Sequence, residues 1–295
     1  MIAILGITGQ VGQVIGELLL HQHQPIRAVV RNPAKATQWA ARGAEVVAAD
    51  LLDAAALTQA FRGTEAVFIM TPPGLDLENV LEQHQQMVAA ISMALKSAHP
   101  KKVVYLSSIG GHLLHGTGAI RKLYDLEQAL TRLPIPTAGI RAGWFMENFI
   151  GSIPGAVQSG QLHSFLNPTD LLIPMVAVQD IGQLAAELLT QSWTGARILE
   201  LEGPCRYSAD NVASILAYHT GRPIRAVAIS PADYEQTYSS FGFTQDASRL
   251  MAEMNDGFNR QWIVFEGGKA EPVYGETLLE DMLRTQVTEG LGAKP

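Results

Sequence analysis

The chain has a single cysteine, Cys205, among 295 residues. That excludes an intrachain disulfide and a thiolate metal cluster, and it fits a reducing, cytoplasmic setting. No apolar run approaches the roughly 18 residues that a membrane-spanning helix needs. The first residues read as a strand, which leaves no room for a signal peptide ahead of it. Basic excess is also missing: 21 Lys and Arg stand against 28 Asp and Glu, for a net charge of −7. A nucleic-acid binder working through a basic face is therefore not expected. The chain shows no repeat and no low-complexity segment. What it does have is 47% hydrophobic residues, enough for a large core. The length suggests two domains, or one large α/β unit with an added lobe.

The most informative stretch is Met1-Ile-Ala-Ile-Leu-Gly-Ile-Thr-Gly-Gln-Val-Gly-Gln. A short apolar strand breaks into Gly6, Gly9 and Gly12 and then becomes an apolar helix. Backbone N–H groups at such a helix start point outward, and the helix dipole favours a phosphate there. Gly6 permits the tight turn, Gly9 lets a pyrophosphate approach the backbone, and Gly12 lets helix and sheet pack closely. Thr8, Gln10 and Val11 lie in the same turn. The spacing is G-x-x-G-x-x-G instead of the G-x-G-x-x-G of ordinary dinucleotide dehydrogenases. A second strand over residues 26–30 ends in Arg31. An acidic residue at that tip would bond the ribose 2′-OH of NAD, whereas an arginine suits the 2′-phosphate of NADP by charge and fork geometry. The expected cofactor is NADP(H).

Strands and helices alternate through the first half, the pattern of a doubly wound parallel sheet. Strands are expected at 2–5, 26–30, 45–48, 66–70, 102–106 and 137–140. Helices are expected at 10–21, 33–42, 53–61, 77–98 and 120–131. Ligands of such sheets sit at the carboxyl ends of the strands. Asp50 and Leu51 end the third strand, where Asp50 would accept from the adenine amino group or serve the following helix start. Thr71, Pro72 and Pro73 end the fourth strand; the prolines remove donors and stiffen a cofactor wall. After residue 149 the texture changes. Residues 1–149 read as the cofactor-binding Rossmann domain and 150–290 mainly as a smaller C-terminal α/β substrate lobe, with pieces such as 175–190 returning to the sheet. Residues 291–295 read as a loose tail. Asp180 is placed to cap a helix over 181–190, and Ser208 to begin one over 209–220.

With these segments in place the chain resembles the NmrA-like branch of the atypical short-chain dehydrogenase/reductase superfamily, and within it a quinone reductase. The matching stretches are Gly6-Ile-Thr-Gly-Gln-Val-Gly12, Val30-Arg-Asn-Pro-Ala-Lys35, Ala49-Asp-Leu51, Leu106-Ser-Ser108, Ile140-Arg-Ala-Gly-Trp-Phe-Met-Glu-Asn148 and Leu201-Glu-Gly-Pro204. The resemblance implies a Rossmann domain with a small C-terminal lobe. It implies either an NADPH-dependent reductase of quinones, dyes and related small molecules or a redox-sensing NADP(H)-binding regulator that works through protein partners. A nucleotide-sugar epimerase or dehydratase is a third, weaker reading.

Catalytic members of the superfamily carry Tyr-x-x-x-Lys on the helix after the fifth strand, the lysine lowering the tyrosine pKa. Here the spacing is Tyr124-x-x-x-Gln128, and Gln128 brings no charge. Lys122, two residues before Tyr124, is expected to point elsewhere on the helix. Tyr124 as proton donor competes with a solvated surface tyrosine. Hydride transfer to a quinone remains feasible with an oriented cofactor and water as proton source. Ser107 stands where the superfamily places its active-site serine, with loop-backbone bonding as the alternative. Trp144 and Phe145 would wall an aromatic acceptor or fill core. His112 and His115 form a His-x-x-His loop pair with no third ligand nearby, so no metal is expected and His112 is left as a substrate contact. The expected partner is a small, conjugated acceptor; a homodimer is left open.

Overall fold

The computed structural model describes residues 1–290; the tail expected to be loose lies outside the described residues. The strands Ile2–Leu5 and Ala66–Ile69 are four-residue apolar runs, IAIL and AVFI, buried throughout because both faces of a parallel sheet are covered by helices. In chain order the first half is β1 (Ile2–Leu5), α1 (Gln10–His21), β2 (Ile26–Val30), α2 (Thr37–Ala41), β3 (Glu45–Ala48), α3 (Ala54–Phe61), β4 (Ala66–Ile69), α4 (Val80–Ala98), β5 (Lys102–Ser108), α5 (Arg121–Leu130) and β6 (Thr137–Ala142). The second half adds β7 (Trp144–Phe145), α6 (Ile153–Ser159), β8 (Gln161–Ser164), β9 (Ile173–Val176), α7 (Val178–Thr190), β10 (Ala196–Glu202), β11 (Arg206–Tyr207), α8 (Ala209–Thr220), β12 (Arg225–Ala228), α9 (Tyr234–Ser240), α10 (Gln245–Asn259), β13 (Glu271–Tyr274) and α11 (Leu279–Gly290).

Eight strands form one sheet in the order β13-β10-β6-β5-β4-β1-β2-β3, and every pairing in it is parallel. The order reverses between β1 and β4, the crevice where doubly wound sheets hold ligands. Alternation within each strand divides the core. Ile2 and Ile4 of β1 face α1 and α7, with Val11, Ile15, Leu19, Ile181 and Ala185. Ala3 and Leu5 face the other layer, with Leu57, Ile91, Leu95 and Leu126 of α3, α4 and α5. A separate cluster of Met146, Phe149, Ile173, Met175, Val212, Phe258 and Leu283 gathers the later elements.

The second half also completes the sheet: α7 packs on α1, and β10 and β13 extend the sheet beyond β6. Strand β9 does not join it; it pairs with β7 and β11 in a three-stranded sheet. Two expected caps resolve differently. Ser208 begins α8 with a full capping box, Asn211 bonding back to the Ser208 backbone. Asp180 does not cap its helix, which starts earlier, at Val178, whose N–H donates to Glu147 Oε1 at 2.9 Å. Asp180 accepts instead from Thr277, binding the start of the C-terminal segment to α7.

Candidate active site

The first wall is backbone. After β1 the chain turns at Gly6 with φ +75°, a conformation L side chains rarely adopt. Gly9 N–H donates to Gly6 O at 2.9 Å, closing the turn. A Cβ on Gly12 would overlap the Gly6 carbonyl oxygen, so this position is held to glycine by close approach of helix and turn. Gly9 is the N-cap of α1, and no side chain caps the helix. The helix start is therefore left with the unclaimed N–H donors that suit a bound phosphate. Thr8 and Gln10 are exposed here. Val11 is buried in the core, so only its backbone is on offer.

Arg31 is exposed at the end of β2, and among the described residues it has no ion-pair partner. The fold thus leaves one unengaged guanidinium at the ribose end of the glycine turn, where a 2′-phosphate would need it. Asp50, at the end of β3, is exposed and spends one oxygen on Leu52 N–H at 2.9 Å. Asp53, not Asp50, caps α3 by accepting from Ala55 and Ala56. The Leu51 side chain packs against the core layer of α3 and α4. These groups together fit a phosphorylated dinucleotide lying across the sheet edge.

The second wall is Thr71, Pro72 and Pro73, after β4. Pro72 and Pro73 are exposed, but behind them lies a tight apolar recess formed by Leu77, Val80, His84, Met87 and Lys122. Lys122 points to a different face of α5 from Tyr124, as its spacing implies, and that face meets this wall: its Nζ donates to Pro73 O at 2.7 Å and Pro72 O at 3.2 Å. The reason is helical period. Lys122, Leu126 and Leu130 form one stripe of α5, and all three are buried. Burial without a carboxylate partner pushes the Lys122 ammonium down to about 8. Beside it, His84 of α4 is buried, with Nε2 2.9 Å from Thr71 Oγ1. Burial, and then the nearby Lys122 charge, lower the His84 imidazole to about 4. His84 Nδ1 is buried and has no partner.

Tyr124 and Gln128 lie one turn apart on another face of α5, part-buried. The Arg121 guanidinium sits 5.0 Å from the centre of the Tyr124 ring, and Gln128 Oε1 accepts from Arg132 at 3.3 Å. The bonds to the proline wall come from Lys122, and among the described residues neither Tyr124 nor Gln128 has a hydrogen bond to Thr71, Pro72 or Pro73. Ser107, at the end of β5, is buried and donates to Glu127 Oε1 at 2.5 Å. Glu127 is bound on both oxygens by Arg141 of β6, at 2.9 and 2.7 Å. Arg141 also reaches Glu266 at 2.8 Å and Glu200 at 3.4 Å. Burial works against its charge, but the hydrogen bonds and charges of Glu127 and Glu266 prevail and raise its pKa. This network closes the floor under the loop at 109–117. A charged residue inside the buried strand Thr137–Ala142 was the sequence signal for it. His84, within the apolar stripe Val80, Met87 and Ile91, was readable the same way.

Of the acceptor-side candidates, His112 lies on that loop, and Trp144 and Phe145 form β7. His112 is half-buried; desolvation, then the Arg141 charge, lower its pKa, and Nδ1 has no partner. Trp144 meets Phe258 edge-on at 5.0 Å in the C-terminal core, and Phe145 packs on the main sheet core; both are part-buried. Among the described residues, no group of three or more His, Cys, Asp or Glu could hold a metal ion.

Comparison with known proteins places this architecture. The chain is 29% identical over 266 residues to quinone oxidoreductase 2 of Escherichia coli, covering 88% of each. It is 28% identical over 254 residues to an NAD(P)H azoreductase of Xenophilus azovorans, covering 86% of each. A crystal structure of the NADPH-dependent quinone oxidoreductase from E. coli, complexed with NADPH, superposes with a TM-score of 0.80. It is 26% identical, and the match covers 97% of this chain and 99% of that one. The glycine turn, Arg31 and the Thr71 wall all fall within residues 1–266, the span matched by the NmrA-like family. The chain belongs to the NmrA-like family.

Proposed function

We propose that this protein is an NADPH-dependent oxidoreductase that reduces a small conjugated acceptor of the quinone type. The observation that carries this is the carboxyl end of the sheet itself: one line of strand ends presents an uncapped helix start, an Arg31 without an ion-pair partner among the described residues, and a stiff proline wall backed by a buried lysine. The relatives named above are an azoreductase and a quinone oxidoreductase, and they lend nothing to a regulatory reading.

The N–H groups of Gln10, Val11 and Gly12 hold the pyrophosphate, and Arg31 holds the 2′-phosphate. Asp50 keeps a carboxylate oxygen for the adenine. Pro72 and Pro73 shape the nicotinamide side, and the third proton of Lys122 remains for a ribose hydroxyl or for charge developing on the acceptor. When bound, NADPH supplies a hydride, which with one proton from solvent converts a quinone to a hydroquinone. Lys122 takes the positioning role in preference to Tyr124 and Gln128. Ser107, through Glu127 and Arg141, holds the floor on which His112, Trp144 and Phe145 face the acceptor. Oxidation of NADPH followed optically with a panel of quinones and azo dyes tests the reading. Turnover with one or more acceptors, and preference for NADPH over NADH, are expected. Tight NADPH binding with no turnover on any acceptor would overturn it.

A further inference from the structure

One structural feature next to the acceptor side is not used by the reaction just described. Helix α10 ends at Asn259, and the turn after it is closed by Gln261 N–H to Phe258 O and Trp262 N–H to Gly257 O, both at 2.9 Å. Gln261 takes φ +55° there, in the left-handed region where glycine is the usual choice. That turn presents Trp262 to solvent: it is 50% exposed. The side chain is nevertheless fixed, since its Nε1 donates to His115 O at 2.9 Å. Gly116, at φ +72°, lies flat against the indole; a Cβ there would stand 3.0 Å from Nε1. Ile263, the next residue, is buried against Gly110. Two loops are thereby joined around an exposed, immobilised aromatic ring. Exposed aromatics held this way contribute contact area with little loss of side-chain freedom.

Beside the ring is an open cavity of about 310 Å³ lined by His115, Gly116, Arg260 and Trp262. Arg260 is exposed, with Asp256 at 2.8 Å one turn back as its ion-pair partner. One guanidinium nitrogen is so engaged, which leaves other donors of the fork for a ligand. The loop that carries His115 and Gly116 is the one that follows β5 and carries His112.

We infer that Trp262, Arg260 and the His115–Gly116 backbone form an acceptor subsite for an aromatic ring bearing an anionic substituent, a sulfonate or a carboxylate. The ring stacks on the indole and the anion meets the Arg260 guanidinium. As an acceptor subsite it rests on the reductase reading, but its binding chemistry does not.

The test uses the full chain and two unreactive probes, naphthalene-2-sulfonate and neutral 2-naphthol, with calorimetry for Kd and quenching of tryptophan emission as the local signal. Trp262→Ala is expected to weaken the sulfonate about tenfold and to remove most of the quenching. Arg260→Gln is expected to weaken the sulfonate about fivefold, the scale of a solvent-exposed ion pair, and to leave 2-naphthol within twofold. Trp262→Phe keeps a ring and loses only the bond to His115 O, so it retains most of the affinity and guards against misfolding of the alanine variant. Sulfonate affinity unmoved by both Trp262→Ala and Arg260→Gln overturns the subsite. So does 2-naphthol binding as tightly as the sulfonate to the unaltered chain. Because no turnover is read, a chain that binds the sulfonate as expected but reduces nothing retains the aromatic-anion site and loses the reductase reading. The reverse result separates them the other way.

Discussion

The two sides of the sheet edge are built by different physics. On the β1–α1 side the site is backbone: a left-handed Gly6, an N-capping Gly9 and a Gly12 pressed against the Gly6 carbonyl, all within seven residues. On the β4–β5 side it is side chain, drawn from α4, α5, β5, β6 and the segment near residue 266. A backbone site depends on local geometry and tolerates no added atom. A site assembled over long range depends on burial, and burial shifts its titrations. The comparison predicts that damage on the first side is steric and independent of pH, whereas damage on the second follows pH.

The largest effect should come from Gly12→Ala. The added Cβ overlaps the Gly6 carbonyl, a backbone atom that cannot rotate away. Overpacking of this kind costs about 3 kcal/mol. NADPH affinity should fall by about a hundredfold or more at every pH, read by calorimetry at pH 6 and 8. An alanine variant that binds NADPH within twofold of the unaltered chain would show that the turn yields, and the contrast between the two sides would fail.

The second effect belongs to the other side. Because burial and Lys122 hold the His84 imidazole at about 4, against an ordinary 6.5, the unfolded chain binds a proton between those values that the folded chain refuses. Stability is therefore complete above pH 6.5 and falls as the pH drops toward 4. The difference of about 2.5 units converts to about 3 kcal/mol. Urea unfolding at pH 7 and pH 4.5 measures it. His84→Gln, which can still bond Thr71, should flatten that slope. An unchanged slope would mean that other groups carry it.

Lys122→Met comes third. The methionine fills the same recess but cannot bond Pro72 O or Pro73 O, and kcat/KM should fall about thirtyfold, the scale of a hydrogen bond to a charged group. In the unaltered protein kcat/KM should decline above about pH 8 as the ammonium loses its proton. The variant should lack that limb. A limb that persists in Lys122→Met would assign it to another group.

These differences also explain what the amino-acid sequence discloses. The strands, the glycine turn and Arg31 are local patterns, and a doubly wound sheet follows from their alternation. The Ser208 capping box needs only four consecutive residues. Lys122 leaves the Tyr124 face, as its spacing implies; where it goes instead follows from its buried stripe with Leu126 and Leu130, which directs it to the Thr71 wall. Asp180 looked like a cap because its true partner, Thr277, is 97 residues away. The Arg141 network unites residues 107, 127, 141, 200 and 266. No local rule assembles groups so far apart; only the parallel order β10-β6-β5 brings them together.

The smallest expected effect sharpens the comparison most, because Arg31 is a side chain on the backbone-built side. It is exposed and, among the described residues, without an ion-pair partner, so its removal creates no cavity and leaves no buried charge. Arg31→Ala should leave thermal stability within about 0.5 kcal/mol, as for an ordinary surface substitution. Its effect should fall on one number, the ratio of kcat/KM for NADPH to that for NADH, reduced about tenfold as one charge-assisted contact to a phosphate in water is lost. The loss should shrink as salt is raised, since an exposed ion pair is screened. A ratio that does not move would place the 2′-phosphate elsewhere. Lys35, also exposed in the 3₁₀ turn that follows β2, would be the next residue to test, and the guanidinium would then lie outside the site.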